Sequence, residues 1–298
     1  IISTNAGISF ATDVLLDSTN AITVYTGKGL SDDFSIGGTL TRSASESFAV
    51  DAGAGGHATF SGAVDLGTGT LTVTNANHVQ FGATVEVGAL TTKGTDFTNT
   101  GGITTSGGAV NLNAQTGDIN IDANVDTFGG AFTATGASSF DSRGRAITTS
   151  GQTSRAGGGV TITTSTGDLS VGGINTNGAS GGYDGGAVTL VAAGALNVTN
   201  ALNVQGGGAA TGGAGGNVSF TGANGIVVSG SINASGGSSL NVGPGGTITF
   251  HSDTVLGAIV AFNTGTDSGG ITFAGTLDSD GTARALTLEA GTGDINFD

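Results

Sequence analysis

Residues Gly157–Gly182 read GGGVTITTSTGDLSVGGINTNGASGG. Short runs in this stretch alternate apolar with hydroxyl or amide side chains, as in Val160-Thr161-Ile162. The same alternation appears in Leu196-Asn197-Val198 and Ile119-Asn120-Ile121. A period of two sends alternate side chains to opposite faces of a strand. Tight turns separate the runs, and a glycine-rich seam closes the stretch. The pattern then begins again at Val188.

Aligned on the run that follows a Gly-Gly pair, the repeats open at Val110, Val160, Val188, Val218 and Ile248. Subtracting successive numbers gives steps of 50, 28, 30 and 30; the step of 50 reads as two shorter units divided near Phe132. Shorter steps flank this region: FSGAV at Phe60 returns as FGATV at Phe81, and ITF at Ile271 returns as INF at Ile295. Each unit holds three strands of three to five residues and spans 21–30 residues. Further strands are expected at Leu169 and Ile174, at Leu196 and Leu202, and at Ile226 and Ile232.

Strands this short cannot stand as isolated hairpins. Three per repeat, with no helical period between them, predict one coil of a parallel β-helix, or β-solenoid. Each strand pairs with its equivalents in the neighbouring coils. At about 4.8 Å per coil, roughly 12 coils would extend about 55–60 Å. The whole of 1–298 reads as a single β-solenoid segment of a longer repetitive chain. Apolar side chains, including Phe60, Phe81, Phe220, Phe250, Phe273 and Phe297, are expected to stack inward. Glycine turns the corners, and the GGAATGGAGG-type seam is expected to be the loosest of them, absorbing insertions. The aspartate of TGD, which begins at Thr116, Thr166 and Thr292, is placed to accept nearby backbone N–H groups. Lys28–Glu46 and Phe140–Arg155 depart most from the alternation.

Composition narrows the alternatives. The chain has 59 glycines but one proline, and no glycine at every third position, so it is not collagen. A hydrophobic fraction of 37% in ordered runs argues against disorder. With no cysteine, no disulfide staples the fold. Seven Lys and Arg against a net charge of −15 do not suit a nucleic-acid partner. No apolar run reaches the length of a membrane-spanning helix, so no membrane insertion by this segment is expected. Residues 1–20 lack the basic and apolar regions of a signal peptide.

Candidate sites are sparse. Asp32–Asp33, Asp118/Asp122/Asp126 and Asp278/Asp280 are the carboxylate groupings, and they read as separate corner residues rather than an acid–base pair. His57, His78 and His251 lie far apart in sequence without metal-ligand spacing. Asp278 and Asp280, in DSDG, are the calcium candidates by their hard oxygen ligands. The chain lacks the calcium-roll nonapeptide and the downstream glutamate of an EF-hand loop, so no dedicated cofactor is expected. Arg143, Arg145 and Arg155 form a candidate interaction loop. Ranks such as Thr161–Thr163 would need a regular array over many coils to order water.

The runs LTLEAGTGDINFD (Leu286–Asp298), GGITFAGTLDSDG (Gly269–Gly281) and GGNVSFTGANGIVVSGSINASGG (Gly215–Gly237) resemble the repeats of filamentous-haemagglutinin-like and autotransporter-like bacterial exoproteins. The resemblance covers nearly the whole chain. It implies a right-handed parallel β-helix at the bacterial cell surface. It also implies a non-catalytic, extracellular role as a stiff rod or filament in adhesion, biofilm, sheath or cell–cell contact. Flanking repeats or identical chains would be its partners. A glycan- or host-surface-binding adhesin module is the alternative, and a β-helix polysaccharide lyase or hydrolase a third.

Overall fold

The computed structural model describes all residues except Thr4, Asn5, Thr19, Lys28, Leu30, Ser31 and Ser239. The alternating runs form short parallel strands of two to six residues, and the described residues include no helix. Every third strand in chain order falls in the same sheet, so three sheets wind together as a parallel β-solenoid. Successive equivalent positions lie from 18 to 30 residues apart. The shortest step undercuts the expected range because the strands Val85–Val87, Ala89–Gly94 and Asp96–Asn99 follow one another with only Gly88 and Thr95 between them.

The chain packs as two compact units. The first comprises Ile1–Thr127 and Thr133–Ser138. Its first sheet runs through Phe34–Ile36, His57–Phe60, His78–Phe81 and Asp96–Asn99 in parallel register, Phe60 opposite Phe81 and Phe81 opposite Asn99. The second unit comprises Phe128–Phe132 and Ser139–Asp298. There Val160, Val188, Val218, Ile248, Ile271 and Ile295 are stacked in one column, the repeat read from the sequence. The segments expected to depart from the pattern mostly keep it. Phe34–Ile36 and Leu40–Arg42 pair with Ile8–Phe10 and Val14–Leu16. Lys28, Leu30 and Ser31 of the first departure lie outside the described residues. In the second, Phe140–Asp141 and Ala146–Thr148 pair with the next turn.

The inward half of each alternation forms the core. In the second unit Phe220, Phe250 and Phe273 stand on successive rungs, with ring centres 5.5 and 4.8 Å apart. Each ring buries apolar area and gains offset or edge contacts with its neighbours. Phe297 continues the column, 5.2 Å from Phe273, but is 60% exposed, contrary to its expected burial. Within the described fold no further rung covers it. In the first unit Asn99 takes an inward position between Phe81 and Ile121. Its Nδ2 donates to the Gly101 carbonyl at 2.9 Å, and its buried Oδ1 has no partner.

The glycine seams are not the loosest corners, as their composition suggests, but closely packed ones. Gly206 faces Gly213 within one seam, and Gly236 faces Gly243 in the next. A Cβ added at Gly206 or Gly236 would fall 1.9 or 1.8 Å from the facing carbonyl oxygen. Seams of successive turns are also bonded to one another: Gly178 N–H donates to Gln205 O at 2.9 Å, Gly206 N–H to Ser235 O at 3.0 Å and Gly212 N–H to Asn241 O at 2.9 Å. Glycine is required here by backbone packed on backbone, more than by conformational freedom.

Candidate functional site

Corners break the backbone ladder, so their amides need other partners. Asp and Asn side chains supply them, reaching from one turn to the next. Asp13 Oδ1 accepts from Thr39 N–H at 2.8 Å and Asp33 Oδ1 from His57 N–H at 2.8 Å. Asp168 Oδ1 accepts from Ala195 N–H at 2.8 Å, Asp184 Oδ1 from Ala214 N–H at 2.7 Å and Asp253 Oδ1 from Thr276 N–H at 2.8 Å. Asn177 and Asn217 serve Gln205 and Thr247 in the same way. The TGD aspartate at Asp168 therefore bonds a backbone amide as expected, but one in the following turn rather than nearby in the chain. For Asp13 and Asp253, hydrogen bonds from Thr39 and Thr276 respectively hold the carboxyl below its usual range.

A second set of staples is buried. Thr105 Oγ1 donates to Gly108 O at 2.6 Å, Thr176 Oγ1 to Gly186 O at 2.6 Å, and Thr149 Oγ1 to Gly158 O. These hydroxyls hold the start of each seam against its return. On the outer face of the second unit, Asn175, Asn203, Asn233 and Asn263 occupy four successive rungs. The Oδ1 atoms of Asn175, Asn233 and Asn263 accept the N–H two residues on, a side-chain turn that starts the corner. The sequence carries this column as INTN, LNV, INAS and FNTG, one asparagine after each inward residue. Such spacing is found only when the turns are superposed.

A polar groove of about 270 Å³ in the second unit is lined by Asp141, Arg143, Asp168, Ser170 and Asn197, together with Ser139 and Phe140. Arg143 donates from Nε to both Asp141 oxygens, at 3.1 and 3.0 Å, and from Nη2 to Oδ2 at 2.5 Å. That guanidinium holds the Asp141 carboxyl below the usual range. A general acid needs the opposite shift, and Asp168 is already committed to Ala195 N–H. The groove therefore offers donors and acceptors for a polar ligand rather than an acid–base pair. Arg145 shares the Arg143 corner, whereas Arg155 stands at the next, beyond the strand Ala146–Thr148. The sequence-based loop thus divides over two corners.

The calcium candidates are otherwise engaged. Asp280 accepts from Arg284 Nε at Oδ1, 3.0 Å, and from Arg284 Nη2 at Oδ2, 2.6 Å, and the bonded guanidinium lowers its pKa. Asp278 Oδ1 accepts from Ser279 N–H at 2.7 Å. Asp118 accepts the Ser138 hydroxyl at 2.6 Å, Asp122 follows the strand Ile119–Ile121, and Asp126 ends the strand Val125–Asp126. Among the described residues no three His, Asp or Glu side chains already converge as a metal site. No helix among them is long and apolar enough to cross a membrane.

No family model, curated protein or solved structure matches this chain.

The histidines are arranged differently from their sequence reading. His57 and His78 lie opposite each other on adjacent strands, with ring centres 5.9 Å apart. A single 21-residue turn separates them, so distance in sequence concealed contact in space. His78 is opposite Asp96 on its other side, and its Nδ1 contacts Asp96 Oδ1. His251 stands apart in the second unit, with Nε2 3.1 Å from Ser219 Oγ.

Proposed function

We propose that this chain is a non-catalytic structural repeat region of a large extracellular bacterial surface protein, similar in style to filamentous haemagglutinins. It would serve as a stiff stack in adhesion, a cell-surface sheath or cell–cell contact. The observation that carries this reading is the stapling of each turn to the next outside the strands. Asp and Asn caps and bonded seams supply interactions along the stacking direction, while buried threonine hydroxyls close each seam within its own turn. A solenoid depends on contacts between neighbouring repeats, and the caps and seams serve that need at corners where the strand ladder lapses. Uncharged Thr, Ser and Asn on outward strand positions suit a surface that meets water over its length. Flanking repeats or identical chains are the proposed partners.

Electron microscopy of the native material tests the proposal. Continuous fibres or sheaths with a strand repeat of about 4.8 Å along their axis are expected. Isolated compact particles inside cells would overturn it.

The groove at Asp141, Arg143, Asp168 and Asn197 favours a second reading, a glycan-binding adhesin module. Its oriented carboxylates, guanidinium and amide match the hydroxyl-rich chemistry of a sugar. Glycan-array binding that disappears in Arg143→Ala and Asn197→Ala together would support that reading. An unreactive wild-type protein would remove it.

A further inference from the structure

His57 and His78 are two of the three histidines of the chain, and they stand on adjacent rungs of the first unit's first sheet. From this geometry we infer a binding site for a divalent transition-metal cation, with the two imidazoles as its protein ligands and water completing the shell. The class of metal follows from the ligands. Neutral imidazole suits zinc, copper and nickel, whereas calcium and magnesium take oxygen ligands.

Three features support the site. The first is ring separation. With metal–nitrogen bonds of about 2.0–2.1 Å and about 1.2 Å from nitrogen to ring centre, two imidazoles sharing one metal have centres about 5–6 Å apart. The observed centres are 5.9 Å apart, with ring planes inclined by 69°. The second feature is the tautomer. The Asp96 carboxylate can only accept, so in the neutral imidazole, the form a metal binds, the proton of His78 sits on Nδ1 and Nε2 has the lone pair for the metal. A carboxylate behind a ligating histidine orients the ring and raises its basicity. The third is the shared backbone register. His57 is fixed at the start of its strand through Asp33, whose Oδ1 accepts the His57 N–H at 2.8 Å. His78 and Asp96 occupy the next two rungs. Asp33, Asp96 and Asp118 flank the pair along one edge, so the local field favours a cation. With His57 exposed and His78 partly so, the site is open to solvent.

Calorimetric titration of the full chain with Zn²⁺ at neutral pH tests the inference, with His251→Ala as the control for a solitary surface imidazole. One bound Zn²⁺ per chain is expected. His57→Ala and His78→Ala should each weaken binding at least about tenfold, and Asp96→Asn about 10–100-fold. His251→Ala should bind as wild type. Circular dichroism and melting of each variant check that these substitutions at accessible positions leave the fold intact. No Zn²⁺ binding by the wild type, unaltered affinity in either ligand variant, or an equal loss in His251→Ala would overturn the site. Wild-type affinity in Asp96→Asn would remove Asp96 from it.

Discussion

A glycine in this chain has one of two quite different duties, and the surrounding atoms tell them apart. At Gly206 a Cβ would lie 1.9 Å from Gly213 O, with backbone on the opposing side that cannot move alone. At Gly173 the nearest atom to an added Cβ is Ala201 O at 3.7 Å, an ordinary contact. Gly206→Ala should therefore destabilise the second unit by about 2–3 kcal/mol, while Gly173→Ala stays within about 1 kcal/mol of neutral. Chemical denaturation of both variants checks the contrast, and equal losses would refute the close-packed seam. Composition shows the glycines but does not distinguish these duties, because what decides is the backbone each one faces, seven residues on in the same seam at Gly206 and in the next turn at Gly173. The buried hydroxyls offer a parallel case. Thr176→Val keeps the shape but removes the bond to Gly186 O, and should cost about 1–2 kcal/mol. A Thr176→Val protein as stable as the wild type would show that the hydroxyl adds nothing.

Strands in this fold are nearly interchangeable along a column, and their contribution depends on what covers them. Phe250 is covered by Phe220, Phe262 and Phe273, with ring centres 5.5, 5.2 and 4.8 Å away. Phe250→Ala should cost about 3–5 kcal/mol. Phe297→Ala, in a strand with the same sequence pattern, should cost less than about 1.5 kcal/mol because that ring is already mostly in water. A matched pair of urea melts reads the difference directly. The strands themselves were legible in the sequence, since Val160, Val188, Val218 and Ile248 mark their own register. So was the inward Phe column, up to its last member. What escaped were pairings set by turn length: His57 upon His78, the four-rung asparagine column, and the corner aspartates that reach across turns. Turn length varies from 18 to 30 residues, so no fixed offset exposes the histidine pair or the aspartate caps, whereas the asparagine column keeps the 28, 30 and 30 steps of Val160–Ile248 and was open to that alignment.

For the whole molecule the corner carboxylates make stability depend on acidity. Asp13 in the first unit and Asp253 in the second have pKa values lowered below 3.8 by the N–H groups they hold. A carboxyl depressed in the folded state adds stability above its unfolded pKa and loses it as pH falls through the folded one. Melting temperature should therefore hold near neutrality and fall once pH drops below about 4. The double variant Asp13→Asn/Asp253→Asn keeps an acceptor that does not titrate, so its acid decline should be shallower. Comparing the two proteins at each pH cancels the relief of repulsion from a net charge of −15. Parallel declines would exclude these staples as a source of the acid sensitivity. The bonded seams have a consequence for how such a chain can change over generations. Because each seam is bonded to the seam above, lengthening one alone would strand the amides and carbonyls of its neighbour. The least disruptive way to enlarge the protein is thus to copy an entire turn, corner, seam and all. Near-copies at steps of 28, 30 and 30 residues, from Val160 to Ile248, are what a history of such duplications would leave in the gene.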